Sequence, residues 1–370
     1  MSRFPASPKV LVAPLDWGLG HATRCVPIIR ELLAQGCTVL VAAEGKIKLL
    51  LQTEFPQIPF VHLPGYNIQY ASSGWGLAIK IVAQIPKLLS AIKEEQAWLQ
   101  KVVEEEKIDV VISDNRYGLY HAHIPSVFIT HQLRINAPVK FAEAFLQRIN
   151  YRYINQFSEC WVPDAEGKNN LAGILSHPAE MPSIPTKYTG VLSRFNPEQS
   201  TSATGHLLIM LSGPEPQRTL LENNLLEELK DYTAPVVFVR GLPDSSDEIE
   251  VNDNVRVFSH LPAAELEAKL KHASLVIGRC GYSTVMDLAV LKKRSILIPT
   301  PGQTEQEYLA KHLMENNFAL CIEQKKFRLK NALALAGSFH YRPFNYTTGT
   351  LQTVVTSFLQ SIQITHAKSV

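Results

Sequence analysis

Short strand-like runs, most of them apolar, recur along this chain, several followed by a stretch of helical period, and the whole alternation happens twice. In the first half the runs lie at 10–13, 38–43, 108–113, 126–130, 160–162 and 187–189; in the second they lie at 207–211, 236–239, 255–258, 275–277 and 295–298. Between the first two runs, Val26, Ile29, Leu32 and Leu33 fall at helical spacing and Gly36 follows as a stop. Strand, helix and strand in succession imply a parallel pair, because parallel strands need a long crossover to join them. Runs that are apolar throughout predict strands buried on both faces, hence a sheet with helices on either side. Helices are expected at 76–106, 218–230, 263–272, 283–291 and 305–316, with a last one within 346–364. The small, polar segment 197–205 reads as a linker. The expected architecture is α/β: two Rossmann-like, doubly wound domains at 1–196 and 206–345, facing across a cleft, and a tail at 346–370. Sheets of this kind bind ligands beyond the carboxyl ends of their strands.

Bulk properties narrow the function. A chain of 370 residues accommodates two domains, and a net charge of +2 lacks the basic excess that nucleic-acid binding needs. The five cysteines are scattered and odd in number, which suits reduced thiols in a cytoplasmic protein. The proline-containing start at 1–9 runs straight into the first strand and does not read as a signal peptide, and no apolar run is long enough for a membrane span.

The chemistry-bearing residues sit where strands hand over to helices. The stretch from Gly278 through Arg279, Gly281, Ser283 and Thr284 to Asp287 ends an apolar run, turns on glycine and opens a helix. Ser283 and Asp287 are four apart and share a helix face, so a hydroxyl can address a phosphate while a carboxylate addresses a ribose. Arg279 adds a fixed cationic fork. The plainer reading makes Ser283 a helix cap, Asp287 a solvated residue and Arg279 half of a salt bridge. A second junction at 301–307 places Glu305 and Gln306 at a helix start, able to accept from and donate to sugar hydroxyls or simply to cap the helix. Ser212 and Gly213 form another turn, from which Arg218 could face a diphosphate.

In the first half, Gly18, Gly20 and His21 follow the first strand. Glycines there allow close approach of a ligand and a helix start attracts anions. A dinucleotide site is the competing reading, with Thr23 at the third glycine position and Glu44 as ribose ligand, although His21 would crowd a pyrophosphate. A histidine at this place suits a general base, since its ordinary pKa of ~6.5 lies near working pH. Asp114 ends the strand at 108–113 and joins His21 as a catalytic candidate, with His131 and Gln132 ending the next strand. Residues 75–92 carry Lys80, Gln84 and Lys87 as a polar stripe on an otherwise apolar helix. That stripe suits peripheral contact with a membrane or a lipid acceptor, or ordinary burial, and Pro86 should bend or break the helix. No D-x-D triplet occurs, so a diphosphate is expected to be neutralised by helix starts and arginine, with no metal.

These motifs resemble glycosyltransferases of the GT-B fold, most of all family 28 and the wider UDP-sugar transferases, over roughly residues 8–320. The run from Arg279 to Asp287 is similar to the family's donor signature, with Asp287 in place of the usual glutamate. The resemblance implies that Glu305 and Gln306 touch the donor sugar and that Ser212 and Gly213 form the second domain's glycine loop. It further implies that the loop holding His260 and Leu261 contacts the base, and that Gly18, Gly20 and His21 form the first domain's glycine-rich loop. A nucleotide-sugar donor and no cofactor are implied, and the acceptor stays open. A hydrolysing UDP-sugar epimerase and a non-catalytic sugar-nucleotide-binding subunit share the architecture.

Overall fold

The computed structural model describes residues 7–66, 74–136, 140–196, 205–242, 245 and 248–368, the side chains of 74–85, 140–142 and 364–368 excepted. The chain divides into two compact units, with boundaries after Arg194 and after Asn345, and from Tyr346 it returns to the first unit.

The first unit runs β1 (Lys9–Pro14), α1 (Leu19–Ala34), β2 (Thr38–Ala42), α2 (Gly45–Glu54), β3 (Phe60–Val61), α3 (Gly74–Glu106), β4 (Val110–Asp114), β5 (Ser126–Ile129), α4 (Lys140–Ile154), β6 (Glu159–Val162) and β7 (Thr186–Tyr188). Its seven strands form one sheet in the order β3-β2-β1-β4-β5-β6-β7, every pairing parallel. Central β1 and β4 are buried from Val10 to Pro14 and from Val110 to Asp114, as parallel strands covered on both faces are. On one face Leu11, Ala13, Leu40 and Val111 pack with Leu99 and Val102 of α3. Each buried aliphatic side chain of this kind contributes about 1.5–3 kcal/mol.

The second unit runs β8 (Leu207–Met210), α5 (Gln217–Leu229), β9 (Val236–Val239), β10 (Val255–Phe258), α6 (Ala263–His272), β11 (Leu275–Arg279), α7 (Tyr282–Val290), β12 (Ser295–Ile298), α8 (Thr304–Glu315), β13 (Leu320–Cys321) and α9 (Leu329–Ser338). Its sheet has the order β10-β9-β8-β11-β12-β13, again wholly parallel. Ile209, Phe238, Ile277 and Ile296 make one core with Leu221 and Leu225 of α5 and with Ala332 and Ala336 of α9.

The tail is α10 (Thr350–Lys368), which packs on the first unit: Phe358 meets Trp161 edge-on at 5.5 Å, and Gln35 Nε2 donates to the Gln352 carbonyl at 3.3 Å. Several local expectations need correcting. The run read as 275–277 extends to Arg279, which makes that arginine the last residue of β11. Helix α3 continues through Pro86 without a break. Leu33, expected on the packed face of α1, is exposed. Most of the 197–205 linker, and the side chains that would form the apolar surface at 77–85, lie outside the described residues. Among the described residues, no helix is long and apolar enough to cross a membrane.

Candidate active site

In each sheet the first strand is flanked by its successor on one side and by a later strand on the other, β2 and β4 around β1, β9 and β11 around β8. The order reverses there, and the loops leaving the two carboxyl ends diverge and open a crevice. His21 and Asp114 flank the first of these points, Gly213 and Arg279 the second.

In the first unit, Gly18 precedes α1 and its carbonyl accepts the His21 N–H at 3.2 Å, so the histidine sits in the opening turn. His21 Nδ1 lies 3.0 Å from Asp114 Oδ2. Asp114 is fully buried at the end of β4 and is shared: Arg24 Nε donates to Oδ2 at 2.9 Å, Arg24 Nη2 donates to Oδ1, and the Cys25 thiol approaches Oδ2 at 3.8 Å. Arg24 Nη1 reaches His131 Nδ1 at 3.2 Å. Burial alone would raise the Asp114 pKa; the cation of Arg24, and then His21, outweigh it and hold this carboxyl below its ordinary value. Burial lowers the His21 pKa, Asp114 opposes that, and Arg24 reinforces it, leaving the imidazole below its ordinary value. The ring keeps its basic lone pair near neutral pH, as a general base requires.

Arg24 was not among the residues singled out from the sequence. The signal was present, since an arginine between Thr23 and Cys25 interrupts a run of buried helix positions from Ala22 to Val26. Glu44, the ribose ligand of the competing dinucleotide reading, is engaged here: Oε1 accepts the Gly65 N–H at 2.6 Å and Oε2 faces His62 Nε2 at 3.0 Å. Both oxygens of the acid that the dinucleotide reading invoked are thus engaged within the first unit. Arg116, also beyond β4, is buried against Glu95 at 3.4 Å and donates to the Pro64 carbonyl at 2.8 Å.

In the second unit, Arg279 is buried at the end of β11. Nη1 donates to Gln324 Oε1 at 2.7 Å and Nη2 to the Gln217 carbonyl at 2.5 Å, while Nε has no partner among the described residues. Neither acceptor is charged, and burial without a carboxylate brings its pKa down to about 10. The buried Thr300 hydroxyl beside it likewise lacks a partner. Gly213 crosses over both: a Cβ there would stand 3.7 Å from Thr300 Oγ1 and 4.0 Å from Arg279 Cγ. Its φ of 104° is one that side-chain-bearing residues rarely adopt. Ser212 beside it is exposed.

Helix α7 is capped by Gly281, and nothing lies within 4 Å of where a Gly281 Cβ would point. Ser283 is therefore the second helical residue and not the cap, with Thr284 third and Asp287 one turn further along. The first turn of α7 contains no acid, whereas that of α8 contains Glu305 and Glu307. Carboxylates already answer the positive end of α8, which leaves the start of α7 the more electropositive of the two. Gln306 is turned inward: Oε1 accepts the Thr300 N–H at 2.9 Å and Nε2 donates to Gln303 Oε1 at 2.5 Å. Its amide braces the 300–303 loop. Glu305 stays near the turn, adding to the upward push on the Cys280 thiol that begins with its hydrogen bond to Cys321 and with burial.

Arg218 requires the clearest correction. Nε donates to Glu215 Oε1 at 2.6 Å, Nη1 pairs with Glu222, and Nη2 donates to Thr219 Oγ1 at 2.7 Å. Its charge is spent on two carboxylates within its own helix start, and Glu222 is shared with Arg240 at 2.5 Å. This cluster braces α5 against the end of β9 and does not offer a cation to a diphosphate. His260 is exposed and Leu261 buried just past β10, at the outer edge of the sheet.

Residues 223–355 match the glycosyltransferase family 28 C-terminal domain. A Methanosarcina acetivorans protein described as an uncharacterized glycosyltransferase is 25% identical over 328 residues, covering 81% of this chain and 79% of the relative. Among solved structures, the glycosyltransferase of kitacinnamycin superposes with a TM-score of 0.65 at 16% identity, over 98% of this chain and 96% of that one. Phytolacca americana UGT2, complexed with UDP-2-fluoro-glucose and pterostilbene, gives 0.60 at 13% identity, over 91% and 90%. The protein is a glycosyltransferase of the GT-B fold. More particularly, the stretch from within α5 to the start of α10 is similar to the family 28 C-terminal domain.

Proposed function

We propose that the protein moves a glycosyl group from a nucleoside-diphosphate sugar, most simply a UDP-sugar, to an acceptor hydroxyl, without a metal ion and with inversion at the anomeric carbon. The observation that carries this reading is Arg279, a buried cation with no carboxylate, next to the acid-free start of α7. A buried charge without a counter-ion costs several kcal/mol, and a diphosphate at the helix start supplies the missing negative charge. The UDP-2-fluoro-glucose carried by a structure of the same fold supports uridine as the nucleoside.

In the step itself, His21 Nε2 takes the acceptor's hydroxyl proton while the acceptor oxygen bonds to the anomeric carbon. The bond from that carbon to the diphosphate oxygen breaks, and its electron pair leaves with the nucleotide. The growing negative charge falls to Arg279, to the first N–H groups of α7 and to the Ser283 and Thr284 hydroxyls, which help the transition state more than the ground state. Asp287 holds the ribose and Glu305 the sugar. The imidazolium keeps its Nδ1–H on Asp114 and later gives its other proton to water. Retention through a covalent intermediate would need a carboxylate nucleophile, and Asp114 is fully buried and gripped by Arg24, so a single displacement fits.

A thermal-shift panel in EDTA tests the donor half. UDP and UDP-sugars should raise the melting temperature, since ligand at 100 times Kd adds about 2.7 kcal/mol; no response to any nucleoside diphosphate would end the proposal. Conversion of UDP-N-acetylglucosamine to an epimer would favour the hydrolysing epimerase, and donor binding without transfer to any acceptor would favour a non-catalytic subunit. A lipid-linked acceptor at a membrane surface is the reading attached to 75–92, and co-sedimentation with anionic liposomes tests it.

A further inference from the structure

We propose that Arg24 is a positioning residue for the transfer step, clamping both oxygens of Asp114 so that His21 is held with its Nδ1–H on the carboxylate and its Nε2 lone pair toward the acceptor. The inference rests on the reading of His21 as the base and adds a residue that acts through Asp114.

The geometry leaves one consistent assignment of hydrogens. A guanidinium only donates. Arg24 Nε donates to Asp114 Oδ2 at 2.9 Å, and one Nη2 hydrogen goes to Oδ1. Asn115 satisfies all its neighbours when its amide oxygen faces Arg24 Nη2 at 2.9 Å and its amide nitrogen faces Thr130 Oγ1 at 2.9 Å and the Ile129 carbonyl at 3.3 Å. That takes the second Nη2 hydrogen. Although Nη2 is also 2.9 Å from His21 Nδ1, no hydrogen remains to aim there, so His21 Nδ1 donates to Asp114 Oδ2 at 3.0 Å. Nη1 donates to His131 Nδ1 at 3.2 Å, which ties the clamp to the end of β5. Asn115 holds its place with φ at 56°, in the left-handed region that asparagine tolerates better than most residues.

The clamp does two things at once. It denies Asp114 any rotation, which fixes the ring tautomer. It also offsets the carboxylate's charge, so that Asp114 orients His21 without holding it permanently protonated. The groups facing His21 are Asp114 from β4, Arg24 from α1 and His131 from beyond β5, with the Cys25 thiol of α1 also on Asp114. Arg24 opposes protonation of the ring and Asp114 favours it, and the balance between them sets the pH at which the base is free.

The test is a nuclear magnetic resonance titration of the full chain labelled with ¹⁵N-histidine, with His21 assigned by its loss in His21→Gln. In the wild type the Nδ1–H tautomer should dominate, with half-protonation below the ordinary histidine value of ~6.5. In Arg24→Met the midpoint should rise by about one pH unit, as expected when a neighbouring cation is removed. Arg24→Lys keeps the charge but not the fork, so the midpoint should stay low while the Nε2–H tautomer gains population. A wild-type ring in the Nε2–H tautomer would overturn the proposal, whether or not Arg24→Met folds. So would a folded Arg24→Met, verified by circular dichroism, with an unmoved midpoint, or Arg24→Lys with the wild-type tautomer. The titration uses neither donor nor acceptor. Failure to bind UDP would therefore count against the transfer reading alone, and an unmoved His21 against the clamp alone.

Discussion

Asp114 and Arg279 occupy corresponding positions in two sheets of one design, and they carry opposite charge. Each ends the strand that pairs with its sheet's first strand on the side away from the second. Each is buried. Asp114 is answered on every side, by Arg24, His21 and the Cys25 thiol. Among the described residues, Arg279 is answered by neutral amide oxygens alone, and its Nε by nothing. The first arrangement is complete in itself and is suited to passing one proton. The second is a cation held ready for an anion. On the proposed reading, one topological position thus holds the partner of the base His21 in the first sheet and a cation for a diphosphate in the second.

The comparison predicts opposite effects on stability, and the largest belongs to Asp114. Asp114→Ala takes from buried Arg24 the carboxylate that both Nε and Nη2 reach, and should cost about 3–5 kcal/mol in denaturant unfolding. A loss below 1 kcal/mol would mean that the Arg24–Asp114 pair is not the closed unit described. Removal of Arg279 should behave differently. Arg279→Met deletes an uncompensated buried charge and keeps the volume, so the ligand-free protein should be unchanged or more stable by about 1 kcal/mol, the usual pattern where a functional group is held at a stability cost. A destabilisation as large as that of Asp114→Ala would erase the distinction.

A third expectation concerns acid. His21 has a lowered pKa in the folded protein, so between that value and ~6.5 the unfolded chain binds the additional proton and stability rises with pH. Asp114 also has a lowered folded pKa; its contribution is fully present above the ordinary carboxylate range and is lost as pH falls through the folded value. Urea melts should therefore show stability falling below pH ~6.5 with a His21 component of at most ~1.4 kcal/mol per pH unit. That component should be missing in His21→Gln; an identical slope in the two proteins would contradict it. A fourth expectation concerns Gly213. Gly213→Ala must hold φ at 104° and should cost about 1 kcal/mol or slightly more in thermal unfolding, whereas a stabilised variant would show that the loop over Arg279 is free to move.

Much of this was legible in the sequence, for reasons that also mark where legibility stops. Apolar runs betray strands buried on both faces, which is why both parallel sheets follow from the chain alone. Arg279, Ser283 and His21 could be placed because each lies within a few residues of a strand-to-helix turn. Arg218 was misread although the correction was local, with Glu222 four residues on and Glu215 three before, the spacing of helical ion pairs. Partners brought together by sheet order are another matter. Arg24 meets Asp114 across 90 residues, and Arg279 meets Gln324 across 45. No local period encodes such contacts, so the sequence shows charged groups without showing which are neutralised. Gln306 is a milder case: its position at a helix start was evident, but its turn toward Thr300 depends on the loop that precedes it.

Calorimetric titration of UDP into the wild type and Arg279→Met, both in EDTA, bears most directly on the central claim. The account predicts that the wild type binds and that Arg279→Met binds about 10- to 100-fold more weakly, the equivalent of the ~1.5–3 kcal/mol of a charge-assisted hydrogen bond, while Arg218→Met, if folded, binds as the wild type does. Equal affinity in the wild type and Arg279→Met would contradict the claim that this buried cation awaits the nucleotide's diphosphate.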